Sequence, residues 1–299
     1  MTSQATTRSA TAGILLMLGG IFLFSVNDAL GKWLVATYTV WQVLLIRSAA
    51  ALLVLAPFIW REGIAPFRQA PKPALQIVRV IFSTLEVAGF YWAVAYLSLA
   101  DVMTFYLAAP IYVTAVSALF LREQVGWRRW SAVLIGFIGV IIALRPTSAS
   151  WSAPALIALA GSFSFSFLMI VTRHLRGTSD TVLVTGQTVA ALIFGAAFAP
   201  FHWVALTWRD AALLALLGVV AMIAHVCVNR SLKLAPASFV VPYQYTLIVW
   251  AIVFGFFVFG DVPEIAMLFG AAVIVGAGIY IFIREQARRV KTEPLPDLP

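Results

Sequence analysis

Apolar residues come in long runs along this chain, broken by short polar stretches. Neither the strict alternation of a strand nor the narrow stripe of a surface helix describes them. Crossing the hydrocarbon of a bilayer takes about 20 apolar residues in a helix. Ten runs approach that length: 13–35, 40–60, 74–97, 101–121, 127–145, 152–174, 181–201, 210–232, 236–259 and 262–283. The pattern predicts an all-α integral membrane protein of ten transmembrane helices, with neighbours antiparallel because the connections are short. The first run continues to Val35 without a cleavage site, so it is expected to stay in the membrane. Residues 1–12 and 285–299 are polar and are expected to be loosely ordered tails.

The runs repeat. Gly20–Ser25 (GIFLFS) recurs as Gly161–Ser166 (GSFSFS), and at the same offset Lys32 falls on Arg173 and Arg47–Leu52 on Thr188–Ile193. At a slightly shorter offset Leu97–Asp101 (LSLAD) recurs as Leu232–Pro236 (LKLAP). The repeat divides the chain into units at 13–146 and 152–284. Five helices per unit is an odd number, so the second unit enters the membrane the other way up. Two inverted repeats enclosing a central cavity are expected.

Composition agrees. Hydrophobic residues make up 62% of the 299 and charged residues 11%, against about a quarter charged in a soluble domain. The net charge of +8 does not point to nucleic acid, because the basic residues sit in short loops. One set of connections holds Arg61, Arg68, Lys72, Arg122, Arg128, Arg129, Arg173, Arg176, Arg230 and Lys233, and the tails add Arg8, Arg284, Arg288, Arg289 and Lys291. The other set holds little beyond Arg145 and Arg209, with Asp101, Asp261 and Glu264. Positive residues favour the cytoplasm, which places both termini there. Cys227 is the single cysteine, so no internal disulfide forms and no thiolate metal site is expected. There is no phosphate loop, no H-E-x-x-H and no G-x-S-x-G. These absences speak against ATP-driven transport by this chain alone and against hydrolysis. No cofactor, metal or nucleic acid is expected; the partners are a small-molecule substrate and membrane lipid, with a monomer favoured.

Ten helices in a five-plus-five repeat, the small-residue junction before the fourth helix of each half, Pro110 within that helix and the closing Leu121-Arg122-Glu123 together resemble the EamA family of drug/metabolite transporters. The resemblance implies a basket of helices around a central cavity, lined by the first four helices of each half, and transport as the activity. Tyr245 stands where Pro110 would be matched, and Phe259-Gly260-Asp261 replaces the Arg-Glu ending, so the halves are not identical. The aromatic content of the inner helices is similar to that of bacterial aromatic amino-acid exporters of the YddG type.

Polar groups within the runs are costly in lipid and mark candidate sites. Asp28 and Lys32 stand four apart, as an ion pair or as a contact for a zwitterion. Glu86 shares a helix face with Ser83 and Phe90; it either faces a wet cavity or pairs with Arg79 or Arg47. Gly218, Met222, His225 and Asn229 form one stripe. Asp101, Phe105, Ala108 and Tyr112 share a face interrupted by Pro110, while Pro242 precedes Tyr243-Gln244 and frees a carbonyl one turn earlier. Phe163 adds a ring on the sixth helix. Asp28, Glu86, Phe90, Phe105, Tyr112, Phe163, His225, Asn229, Tyr243 and Gln244 are the candidate substrate contacts, and Pro110 and Pro242 the kinks. The reading is a secondary exporter of aromatic and other neutral amino acids, or related metabolites, across a bacterial inner membrane by alternating access. Alternatives are a cationic drug, nucleotide precursor or sugar as substrate, or a non-transporting scaffold.

Overall fold

A computed structural model describes residues 2–107, 109, 112–113, 126–144, 152–262, 265–266, 268–273, 275–277 and 280. Every regular element among them is helical. The long ones are α1 (Thr2–Val35), α2 (Val40–Glu62), α3 (Pro73–Val94), α4 (Leu99–Tyr106), α5 (Trp127–Leu144), α6 (Ala153–His174), α7 (Asp180–Phe198), α8 (Trp208–Leu234) and α9 (Thr246–Phe259). Among the described residues six spans are long and apolar enough to cross a membrane, and the segments Tyr243–Phe259 and Leu268–Ala277 are shorter apolar helices. Pro110, Ala108 and Leu121–Glu123 lie outside the described residues, as does the tail 285–299.

Helix starts follow local chemistry. Thr39, Ser98, Ser179 and Thr207 each sit in an extended conformation and accept a hydrogen bond from the backbone N–H three residues on, satisfying a donor that the first turn leaves free. Two boundaries differ from the sequence reading. The segment 2–12 is helical and continuous with α1 rather than a loose tail, because no proline interrupts it. The ninth run is not one helix: a turn at Ala237–Val240 passes into a 3₁₀ segment, Val241–Tyr245, before α9. Pro242 has no N–H to close the α-helical bond there, so the chain tightens.

Packing follows a regular plan. α1 lies against α8 and α3 against α6; α2 faces α7; α9 contacts α1 and α4, and α4 also meets α6. The core runs between them, through Met17, Ile21, Leu44, Phe90, Met103, Leu217 and Ile248. The outer faces are apolar: Trp60 is 86% exposed and Phe257 78%. In water such surface would be an aggregation liability; in lipid it is the solvated face.

Candidate functional site

Midway along the helices a cavity of about 50 Å³ opens between α1, α2, α3, α4, α6, α8, the 3₁₀ segment and the start of α9. Its charged and polar walls are Asp28, Arg47, Glu86, His225, Asn27 and Gln244, and Phe24, Phe90 and Phe165 supply aromatic surface. Room for a water needs about 10–15 Å³, so this conformation encloses space for a few waters and no large ligand. The residues come from separate helices, which makes the cavity a property of the packing and not of any one motif.

Tyr91 organises one wall. Its hydroxyl accepts from Arg47 Nη1 at 2.8 Å and donates to Asn27 Oδ1 at 3.0 Å. Asn27 Nδ2 in turn donates to the Leu217 carbonyl at 2.9 Å. The Arg47 guanidinium also lies 5.2 Å from the centre of the Tyr91 ring, within cation–π range. One chain of bonds thus joins α1, α2, α3 and α8. Two glycines allow it. A Cβ on Gly31 would collide with the Tyr91 ring, and a Cβ on Gly218 would collide with the Arg47 backbone, so α2 and α8 touch main chain to main chain.

Of the residues singled out from sequence, Asp28, Glu86, Phe90, His225 and Gln244 line this cavity. His225 packs edge-on against Phe24, ring centres 4.8 Å apart. Gln244 is buried; its Nε2 lies 3.4 Å from Met169 Sδ and its Oε1 has no partner among the described residues. Phe105, Tyr112, Phe163, Asn229 and Tyr243 lie outside the cavity wall. Phe163 is 48% exposed, stacks with Phe167 and meets Tyr112 edge-on. Asn229 turns away and accepts from Arg79 Nη2 at 3.3 Å. The side chain of Pro242 lies outside the described residues, although its backbone forms part of the 3₁₀ segment.

Two ion pairs that stood among the alternatives read from sequence, Asp28 with Lys32 and Glu86 with Arg79, do not form. Lys32 Nζ sits 4.9 Å over the Phe259 ring, leaving Asp28 to face the cavity; one helical turn separates them, but the two side chains point to different neighbours. Arg79 does not reach Glu86. It donates from Nε to Thr172 Oγ1 at 2.8 Å, from Nη1 to the Leu183 carbonyl at 2.9 Å, and from Nη2 to Asn229. Sequence reasoning missed Asn27, Tyr91, Tyr106 and Phe165. Arg47, a cation inside a membrane span in want of a partner, is the signal that could have pointed to Tyr91.

Both ends of the bundle are closed by polar contacts. At one end Tyr38 Oη donates to Asp210 at 2.7 Å, and Gln42 exchanges two bonds with the Val204 backbone at 2.8 and 3.0 Å. The bond to Asp210 pushes the Tyr38 phenol above its usual pKa, so it stays a donor through the physiological range. At the other end Arg173 donates to the Leu232 carbonyl at 2.7 Å, and Lys233 pairs with Asp180 at 2.7 Å.

Known proteins share this organisation. The EamA-like transporter family matches the chain twice, over residues 11–145 and 152–284. An S-adenosylmethionine uptake transporter of Rickettsia bellii is 24% identical over 88% of this chain and 90% of its own. A riboflavin transporter of Vibrio cholerae is 28% identical over 78% and 79%, and a pseudopaline exporter of Pseudomonas aeruginosa is 28% identical over 90% and 95%. A crystal structure superposes with a TM-score of 0.75, covering 94% of this chain and 99% of the other at 16% identity, a likeness of fold alone. With family matches over both halves and a cavity lined by charged residues between long apolar helices, the chain belongs to the EamA-like transporter family and is a multi-pass membrane transporter, not an enzyme.

Proposed function

We propose that the protein is a secondary exporter of amino acids, aromatic and other neutral ones foremost, or of closely related small metabolites, across a bacterial inner membrane. The observation that carries this reading is that Asp28, Glu86 and Arg47 line one cavity, walled also by Phe24, Phe90 and Phe165. A zwitterion with an apolar side chain matches each of these features: carboxylates for its ammonium, a guanidinium for its carboxylate, rings for its side chain.

Alternating access on an inverted repeat is the mechanism we assign. The helix pairing supports it. Exchanging the two halves turns the contact of α1 with α8 into that of α6 with α3, and leaves α2 with α7 and α4 with α9 unchanged. A rocking of one half against the other then exposes the cavity to each side in turn. Ten spans and cytoplasmic termini complete this reading.

Two carboxylates against one arginine favour a second substrate class, a cationic metabolite, and the relative that takes up S-adenosylmethionine makes this specific. Proteoliposomes loaded with labelled phenylalanine distinguish the two. Counterflow driven by phenylalanine or alanine supports the first reading. No movement of phenylalanine, together with exchange of a labelled sulfonium or quaternary-ammonium cation that Glu86→Gln abolishes, replaces it with the second.

A further inference from the structure

Beside the acidic cavity lies a second one, of about 30 Å³, between α2, α3, α7 and α8. Arg47, Val87 and His225 line both. The remaining polar walls differ completely. The first holds both carboxylates; the second holds Ser48, Ser83, Gln187 and Thr188 and no acid. Gln187 is 4% exposed, and its Oε1 has no hydrogen-bond partner among the described residues. An unpaired amide oxygen so deep in a bundle is costly. Ser48 and Ser83 are also buried. The Thr188 hydroxyl is turned to the Val184 carbonyl at 2.7 Å, so its lone pairs remain free.

We propose that this second cavity is a carboxylate subsite, and that the substrate lies across Arg47 with its ammonium toward Asp28 and Glu86 and its carboxylate toward Ser83 and Gln187. The proposal rests on the amino-acid reading above. Donors decide the polarity. Arg47 spends Nη1 on Tyr91 and keeps other N–H groups of its fork; two hydroxyls and the Gln187 amide add more. The amide is free to turn its nitrogen or its oxygen to the cavity. No carboxylate stands here to repel an anion. The first cavity offers the reverse, so one molecule carrying both charges satisfies both.

Counterflow of labelled phenylalanine in proteoliposomes, with phenylalanine or phenethylamine as competitor, tests this. Phenethylamine lacks only the carboxylate. The wild-type protein is expected to prefer phenylalanine by about tenfold or more, the weight of hydrogen bonds to a charged group. Gln187→Leu should reduce that ratio several-fold. Gln187→Glu should reverse it, because an acid in the second cavity repels the carboxylate and welcomes the amine. Ser83→Ala, which deletes one hydroxyl, carries the test if the glutamine variants do not reconstitute, and should lower the ratio in the same direction. Wild-type transport with equal competition by both compounds, or ratios untouched by every variant that reconstitutes, overturns the subsite alone. A wild-type protein that moves no amino acid overturns the amino-acid reading, and the subsite with it.

Discussion

Arg79 is 1% exposed, and a charge that deep is tolerable only if its donors are met. Its three acceptors come from three helices: Thr172 on α6, Leu183 on α7 and Asn229 on α8, at 2.8, 2.9 and 3.3 Å. Two substitutions separate the cost of an unmet donor from the value of the charge. Thr172→Val keeps the shape and removes the acceptor of Nε, leaving a charged N–H with no partner. That should cost about 1.5–3 kcal/mol, the range for hydrogen bonds to charged groups. Arg79→Met removes the cation at similar length, and in that background Thr172→Val has nothing left to orphan. It should then cost under about 0.5 kcal/mol, so the coupling energy is nearly the whole penalty. Reversible unfolding in mixed micelles, followed by tryptophan fluorescence, measures all four corners of the cycle. Equal costs for Thr172→Val in both backgrounds would refute the assignment of Arg79 as a bonded tie between α3 and α6.

Other perturbations follow from the same contacts. Gly218→Ala places a Cβ about 2.7 Å from the Arg47 carbonyl carbon and 2.9 Å from its Cα, so α2 and α8 must part; a loss of at least about 1–3 kcal/mol and of most transport is expected, and a variant that melts and transports like wild type would remove that close approach. Tyr91→Phe deletes the hydroxyl between Arg47 and Asn27 but keeps the ring under the guanidinium; substrate KM should rise while the protein remains folded, and an unchanged KM would show that Arg47 needs no such positioning. Asp210→Asn weakens the bond from Tyr38; a cysteine introduced at Val204 should then react faster with a membrane-impermeant maleimide, and equal rates would count against a closing role. Because the Tyr38 phenol is pushed up, its donating form persists until pH rises past the usual value of about 10. With Asp210 retained, the maleimide rate of Val204→Cys, taken at each pH as a ratio to that of a fully exposed thiol so that ionisation of the thiol cancels, should therefore stay flat from about pH 6 to about pH 9.

Some of this was legible in the chain itself. Lipid imposes length and apolarity on a spanning helix, and runs such as 40–60 and 210–232 sit within two or three residues of α2 and α8. Gly20–Ser25 recurs as Gly161–Ser166, and the EamA-like family matches the chain once on each side, over 11–145 and 152–284. Glu86 and His225 stood out because polar groups in apolar runs need a reason, and both line the cavity. Stripe logic failed where helices are wrapped on several sides. His225 and Asn229 share one face of α8, yet α8 is met by α1 and α2 along its length and by α6 and α7 as well. One turn is enough to carry Asn229 from the cavity to Arg79. Tyr91, next in sequence to Phe90, points to Arg47 because Gly31 leaves room for its ring, a relation between α1 and α3 that no periodicity within either helix encodes.

The two closed ends are built from different chemistry, and that bears on how the protein moves. At the Tyr38 end the contacts are one phenol on a carboxylate and an amide on a backbone, groups that water replaces at little net cost when they separate. At the other end Arg79 is enclosed by three acceptors, Arg173 holds a helix-terminal carbonyl and Lys233 pairs with Asp180 while also donating to the Thr178 carbonyl at 2.6 Å. The partner pair of Arg230 with Asp180 is 64% exposed on the arginine side and adds little. Opening this second end means drawing a buried guanidinium away from oxygens on three helices at once, and each oxygen left behind must find water before the cation is free. The two ends of the bundle therefore differ in the strength of their closure, although each joins the first half of the chain to the second. On the amino-acid reading proposed above, a substrate carboxylate would compete with Tyr91 for Arg47, at the joint where Tyr91 and Asn27 tie α3 to α1 and α1 to α8.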